Sequence, residues 1–259
     1  MYQKEWEAMV SACQKASAEI MNIYRRDFKI STKSDQSPVT EADLASDKII
    51  RKELSVFPEI GWLCEEDFDD KERLSKKAIF VVDPLDGTQD FVNRDGSFGI
   101  NIALVVNHIP VVSVVGIPAQ NAYAYAIKGE GAFYIKEGKK EKLQVSNRTK
   151  DLILVESMTH VLDKEKEIER KHKDLIQKVI HMGASTKMIA LGQQKADCSV
   201  RYTDKTKEWD TCAPELLVTE AGGVFLDTEL KPFVYNREDV YNRKGYCMFN
   251  RIENKILLS

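Results

Sequence analysis

The five cysteines, Cys13, Cys64, Cys198, Cys212 and Cys247, form no C-x-x-C pair, and their number is odd. That pattern disfavours a disulfide framework and a cysteine zinc site, so reduced thiols are expected. No run of about 18 apolar residues occurs, so no membrane-spanning helix is expected. The segment Met1-Tyr2-Gln3-Lys4-Glu5-Trp6 opens into a mixed-charge helical pattern without an apolar signal region, and a cytoplasmic location is expected. Excess positive charge is also missing. The formal net charge is −3 and the pI about 5.9, which argues against non-specific binding to nucleic acid or a membrane surface while leaving room for a local basic pocket. Internal repeats and low-complexity segments are absent. Gly129-Glu130-Gly131 lacks the third glycine and following helix of a dinucleotide loop and reads as a hairpin turn.

What remains is an ordinary globular composition. The 259 residues are 43% hydrophobic and 31% charged, enough for one large domain or two packed subdomains. Periodicity predicts a helix over about 3–25, carrying Trp6, Met9, Val10, Cys13, Ala16, Ile20 and Tyr24. The polar stretch 31–38 reads as an extended or hairpin loop. A second helix from Thr40 is expected to turn Leu44, Ile50 and Leu54 inward. Gly61-Trp62-Leu63-Cys64 reads as a short strand, and residues 98–136 as an antiparallel meander. Residues 137–149, charged and Gly-containing, are a plausible subdomain boundary. In the second half, strands are expected at 152–155, 196–201 and 224–226. Helices are expected at 164–180, 187–194 and 211–221, and the alternation suggests a partly parallel sheet.

The most informative stretch is Ala78-Ile79-Phe80-Val81-Val82-Asp83-Pro84-Leu85-Asp86-Gly87-Thr88. An apolar, Val-rich run predicts a buried strand. Pro84 lacks an N–H to continue a ladder and Gly87 permits a sharp turn. Asp83 and Asp86 therefore project from a strand end with the Leu85 carbonyl between them, a compact set of hard oxygen donors of the kind Mg²⁺ prefers. Asp-Pro and Asp-Gly also suit a plain turn. Glu65 follows a strand. Thr40-Glu41-Ala42-Asp43 has the form of a capping box, and Pro214 places Asp210 at or near a helix N-cap.

Taken together, Glu65, then Asp83-Pro84-Leu85-Asp86-Gly87-Thr88, then Trp209-Asp210 resemble the lithium-sensitive, magnesium-dependent phosphatase superfamily. That superfamily includes inositol monophosphatase, fructose-1,6-bisphosphatase and 3′(2′),5′-bisphosphate nucleotidase. The resemblance spans essentially the whole chain. It implies an α/β (α+β) layered αβαβα sandwich, with an N-terminal part (1–145) holding most metal ligands and a C-terminal part (146–259) holding substrate contacts. It also implies that Glu65, Asp83, Asp86, Asp210 and the Leu85 carbonyl hold two or three Mg²⁺ ions. Asp43 and Thr88, with Glu65, would be the catalytic groups that polarise the attacking water. Gly87 and Thr88 would offer amides to the phosphate. Inhibition by Li⁺ is implied as well.

Substrate choice rests on the second half. Ser157-Met158-Thr159-His160 and Gly183-Ala184-Ser185-Thr186-Lys187 resemble segments of the nucleotidase branch, in which the histidine lies near the nucleotide and the lysine meets the second phosphate. Arg201 falls where that branch carries a phosphate-binding arginine and inositol monophosphatases a glutamate. A guanidinium binds phosphate in a bidentate fork, whereas a carboxylate would repel it. Ala184 and Met158 depart from the branch pattern. The resemblance thus implies substrate contacts at Gly87, Thr88, His160, Gly183, Lys187, Arg201 and Asp210. The expected substrate is a small phosphate ester, adenosine 3′,5′-bisphosphate, hydrolysed to AMP by a monomer or homodimer. An inositol or broad sugar phosphatase, and a non-catalytic metal- or phosphate-binding regulator, are the rival readings.

Overall fold

A computed structural model describes residues 2–32, 38–158 and 161–259. A seven-stranded sheet takes in β3 (Gly61–Cys64), β4 (Ala78–Asp86), β5 (Gly99–Val106), β6 (Ile109–Ile117), β7 (Ala122–Ile127), β8 (Gly131–Lys136) and β9 (Lys139–Leu143), in that spatial order. Only the β3–β4 pair is parallel; β4 to β9 form an antiparallel meander. Helices α1 (Gln3–Tyr24) and α2 (Glu41–Leu54) cover one face through Met9, Cys13, Ile20 and Ile50 against Phe80, Ile102 and Val112. Strands β1 (Ile30–Thr32) and β2 (Pro38–Thr40) pair antiparallel ahead of α2; residues 33–37 of the expected loop lie outside the described residues.

The opposite face carries α5 (Thr186–Gly192) and α6 (Glu208–Glu220). Beyond them lies a five-stranded sheet of β10 (Leu152–Ser157), β11 (Ile176–Met182), β12 (Cys198–Arg201), β13 (Val224–Leu226) and β14 (Tyr246–Phe249), ordered β11-β10-β12-β14-β13. Its first three strands are parallel and its last two join antiparallel. On its outer face Ile168 of α4 (Asp163–Lys171) and Leu257 of the 3₁₀ turn Ile252–Leu258 close a separate core. The layers therefore run α, β, α, β, α, as expected. All five cysteines are buried and free.

Several local expectations are corrected. Residues 164–180 are not one helix: α4 stops at Lys171, and Ile176–Met182 is strand β11. Within residues 137–149, Lys139–Leu143 forms strand β9, which was not foreseen. Both misread segments are lysine-bearing edge strands, and edges carry charge to block further pairing, which hides the strand pattern. Leu44 faces solvent, 56% exposed; the buried stripe of α2 runs through Ala42, Ser46, Ile50 and Leu54. Strand β4 does not stop at Pro84 but continues to Asp86, with its register against β5 shifting between Asp83 and Asp86. Such an irregularity is where a sheet tolerates a residue without an N–H. Helix α6 begins at Glu208 rather than 211, so Asp210 is its third residue, near the N-cap as expected, and Pro214 lies inside the helix.

Candidate active site

The tip of β4 meets the start of α2. Buried Ser46 donates its hydroxyl to the Pro84 carbonyl at 2.7 Å, fixing the bulge against the helix. The Leu85 amide donates to Asp83 Oδ1 at 3.0 Å, which turns that carboxylate at the strand end. Thr40 caps α2 and forms the capping box with Asp43: its amide and hydroxyl donate to Asp43 Oδ2 at 2.7 and 2.6 Å. Oδ1 of the same carboxylate accepts from Thr88 Oγ1 at 3.0 Å. The capping role of Asp43 and a role beside Thr88 are therefore compatible, one oxygen for each. Thr88 also lies 3.3 Å from the Leu85 carbonyl. Gly87 supplies the left-handed turn (φ 86°) into the short helix α3 (Thr88–Asn93).

Asp210 arrives from the other half of the chain. The Lys207 amide donates to its Oδ2 at 2.5 Å, the reciprocal half of an N-terminal capping arrangement. Oxygens of Asp83, Asp86 and Asp210 lie within 4.8 Å of one another. Burial, followed by the charges of Glu65 and Asp86, pushes the Asp210 carboxyl up to about 8. Burial and then Glu65 and Asp86 also push Asp83 well above the usual carboxylate range. Asp86 is raised by burial, with hydrogen bonding from Ser185 and the Lys187 charge opposing it. Three crowded, desolvated carboxylates are unfavourable unless something neutralises them. An all-oxygen donor set of this spacing fits a hard divalent cation. Glu65 is not within that three-carboxylate group, but its charge is felt by all three.

One cation, Lys187, faces this cluster, and a second, Arg201, lies near Lys187. Lys187 is 6% exposed in α5, so it is not a helix-surface lysine. Burial pulls its ammonium down to about 8 against the attraction of Asp86. Arg201, at the end of β12, is 14% exposed in its side chain, and its Nη1 donates to Glu165 Oε2 at 2.8 Å. The sequence reading did not anticipate that anchor. Gly183 has a packing reason: a Cβ there would lie 2.4 Å from Asp90 Oδ2 and 2.6 Å from the Ser97 carbonyl. Ala184 beside it is left-handed (φ 47°). His160 lies outside the described residues.

Sequence reasoning missed three neighbours. Ser185 donates to Asp86 Oδ2 at 2.5 Å and Asn101 Nδ2 to the same oxygen at 3.2 Å. Asn101 was legible as one polar residue in the otherwise apolar run Gly99–Val106; Ser185 lies in the segment Gly183-Ala184-Ser185-Thr186-Lys187, in which only the glycine and the lysine were expected to meet substrate. Asp90, 5% exposed, has an Oδ1 without a hydrogen-bond partner, and burial followed by the Asp95 and Asp86 charges pushes its carboxyl up to about 7.

Comparison with known proteins follows the same lines. Residues 1–254 match the model of the inositol monophosphatase family. The chain is 31% identical over 244 residues to the 3′(2′),5′-bisphosphate nucleotidase CysQ of Aggregatibacter actinomycetemcomitans, covering 93% of this chain and 90% of that protein. It superimposes on the crystal structure of CysQ from Bacteroides thetaiotaomicron with a TM-score of 0.85 at 29% identity, over 97% of this chain and 99% of the other. It also superimposes on an IMPase from Thermotoga maritima with a TM-score of 0.82 at 22% identity, over 100% and 96%, a likeness of fold. The chain belongs to the inositol monophosphatase family of phosphomonoesterases.

Proposed function

We propose that the protein is a Mg²⁺-dependent 3′(2′),5′-bisphosphate nucleotidase. It would remove the 3′-phosphate of adenosine 3′,5′-bisphosphate to give AMP and inorganic phosphate, with 3′-phosphoadenylyl sulfate as a second substrate. The observation that carries this reading is the burial of Lys187 beside Asp86 and near Arg201. Two cations next to an acidic cluster suit a substrate with two phosphates, one at the acids and one at the cations. The identity to CysQ nucleotidases over most of the chain supports the same choice.

In this reading Asp83, Asp86, Asp210, Glu65 and the Leu85 carbonyl hold two or three Mg²⁺ ions. The bound metal supplies Lewis-acid charge neutralisation at the phosphoryl oxygens and lowers the pKa of water. The protein's own groups then orient the reactants. Asp43 accepts a hydrogen bond from the Thr88 hydroxyl at 3.0 Å, so a Thr88 lone pair is left to receive a hydrogen bond from the attacking water. Ser185 and Asn101 hold Asp86. Lys187 and Arg201 take the second phosphate, while Gly87 and Thr88 amides and His160 complete the substrate contacts. One observation favours the rival polyol phosphatase: the Glu165 carboxylate already pairs with Arg201, which reduces the positive charge available there.

The test is phosphate release with Mg²⁺ from adenosine 3′,5′-bisphosphate and from inositol 1-phosphate at equal concentrations. A strong preference for the bisphosphate is expected. Preference for inositol phosphate would keep the acid cluster and overturn the substrate reading. Release from neither, nor from other sugar phosphates, would favour a non-catalytic binding protein.

A further inference from the structure

Glu65 and Asp210 come from opposite halves of the chain, and between their flanking loops runs a buried polar strap. Arg73, 2% exposed, sits in the 3₁₀ turn Glu72–Ser75 that follows the Glu65 loop. Its Nε and Nη2 donate to Asp69 Oδ1 and Oδ2 at 2.9 and 2.7 Å, four residues after Glu65. On the far side its Nη1 donates to Asn236 Oδ1 at 2.8 Å and its Nη2 to the Arg237 carbonyl at 3.0 Å. Asn236 Nδ2 returns a bond to the Arg73 carbonyl at 3.1 Å. The next link leads directly to α6. The amides of Asn236 and Arg237 donate to the two oxygens of Glu208 at 2.7 and 2.8 Å, and Glu208 is fully buried two residues before Asp210. Asn242 closes the collar, donating to the Lys207 carbonyl at 2.8 Å and accepting from Arg237 Nη2 at 2.7 Å.

We propose that Arg73 and Asn236 are positioning residues for the metal site, holding the Glu65 loop and the Asp210 helix start at one fixed spacing; this rests on the metal-dependent reading above. A buried guanidinium is a poor device for stability alone, because apolar packing of the same volume serves as well or better. It is a good device for geometry, since its planar fork engages acceptors in fixed directions. Mg²⁺ demands near-ideal octahedral placement of its ligands. A site split between two halves of a chain therefore needs its halves registered. Asn236 adopts a left-handed backbone (φ 61°), a conformation asparagine tolerates better than most residues; its side-chain amide bonds Arg73 while its backbone N–H bonds Glu208.

The test uses the full chain with Mn²⁺ as the probe, titrated calorimetrically and by electron paramagnetic resonance without substrate. Two variants are compared with wild type. Asn236→Gly removes the acceptor for Arg73 while easing the left-handed backbone, and Arg73→Lys keeps the charge but loses the fork. Weakening of Mn²⁺ binding by roughly tenfold or more is expected in each, the range seen when partners outside the ligand shell are lost. The Mg²⁺ requirement of phosphate release should rise in parallel, with kcat recovering at saturating Mg²⁺ and KM for the phosphate ester unmoved. Folded variants with lowered melting temperature but wild-type Mn²⁺ affinity would reduce the strap to a structural element and overturn the proposal. A wild-type chain that binds no Mn²⁺ would remove the metal-dependent reading itself, an outcome visible before any variant is made.

Discussion

Thr88 Oγ1 and Asp43 Oδ1, 45 residues apart in the chain, lie 3.0 Å apart at the tip of β4. Asp43 is 1% exposed and its other oxygen is occupied by Thr40. The hydroxyl of Thr88 is thereby oriented by a carboxylate that cannot easily turn elsewhere. Thr88→Ala should lower kcat by about 100-fold or more, the scale on which losing a group that positions a reactant acts. Metal affinity and KM should change little, and Thr88→Ser should recover most of the rate. Steady-state kinetics with wild-type turnover in Thr88→Ala would remove Thr88 from the water-orienting role.

Asp210→Asn should nearly abolish turnover. Its metal-free form should melt no lower than wild type, because the substitution removes one member of a crowded acid cluster in which burial and Glu65 push this carboxyl up to about 8. Activity assays paired with melting curves in EDTA check both halves. Normal activity would dismiss Asp210 as a metal ligand.

The same crowding sets a pH dependence. Asp210 rises from 3.8 to about 8 and Asp90 from 3.8 to about 7 on folding, each first through burial. A carboxyl with a raised folded-state pKa binds its proton more tightly when folded, so its stabilisation is full below pH 3.8 and is lost as pH climbs toward the folded value. In EDTA the melting temperature should therefore fall between about pH 5.5 and pH 8. Lys187, pulled down to about 8, acts in the opposite sense only above that range. Added Mg²⁺ should flatten the fall. A metal-free melting temperature that rises across this range would contradict the electrostatic description of the cluster.

Arg201→Ala should raise KM for adenosine 3′,5′-bisphosphate by roughly tenfold or more, the value of a lost charge-assisted phosphate contact. KM for a monophosphate ester should stay nearly unchanged. Equal effects on both substrates would mean that Arg201 serves Glu165 and the α4–β12 junction rather than a second phosphate.

Gly183→Ala places a methyl 2.4 Å from Asp90 Oδ2 and 2.6 Å from a backbone carbonyl. Overpacking of this kind costs about 1–3 kcal/mol. It should also push α5, and Lys187 with it, away from Asp86. A melting-curve shift accompanied by a higher KM for the bisphosphate is expected; an unaltered melting temperature would show that the contact relaxes freely.

Much of this molecule was legible in one dimension. The period of α1, the alternating strands from Gly99 to Lys136 and the buried run ending at Asp83 are local patterns that a chain cannot adopt without placing particular residues inside. The closeness of Asp83 to Asp86, and the Thr40–Asp43 cap, are short-range consequences of the same kind. Edge strands β9 and β11 escaped because their charge answers to the sheet's exposed rim rather than to a core. The start of α6 escaped because Glu208 is satisfied by the amides of Asn236 and Arg237, partners that no local window contains. The resemblance grouped Asp210 with Asp83 and Asp86, but tertiary structure alone set their spacing, decided that Glu165 anchors Arg201, and tied the two loops together through Arg73. Local sequence dictates what a segment buries and where it turns. Long-range packing decides which distant charges meet, because burying a charge is tolerable only where the rest of the chain supplies its partner.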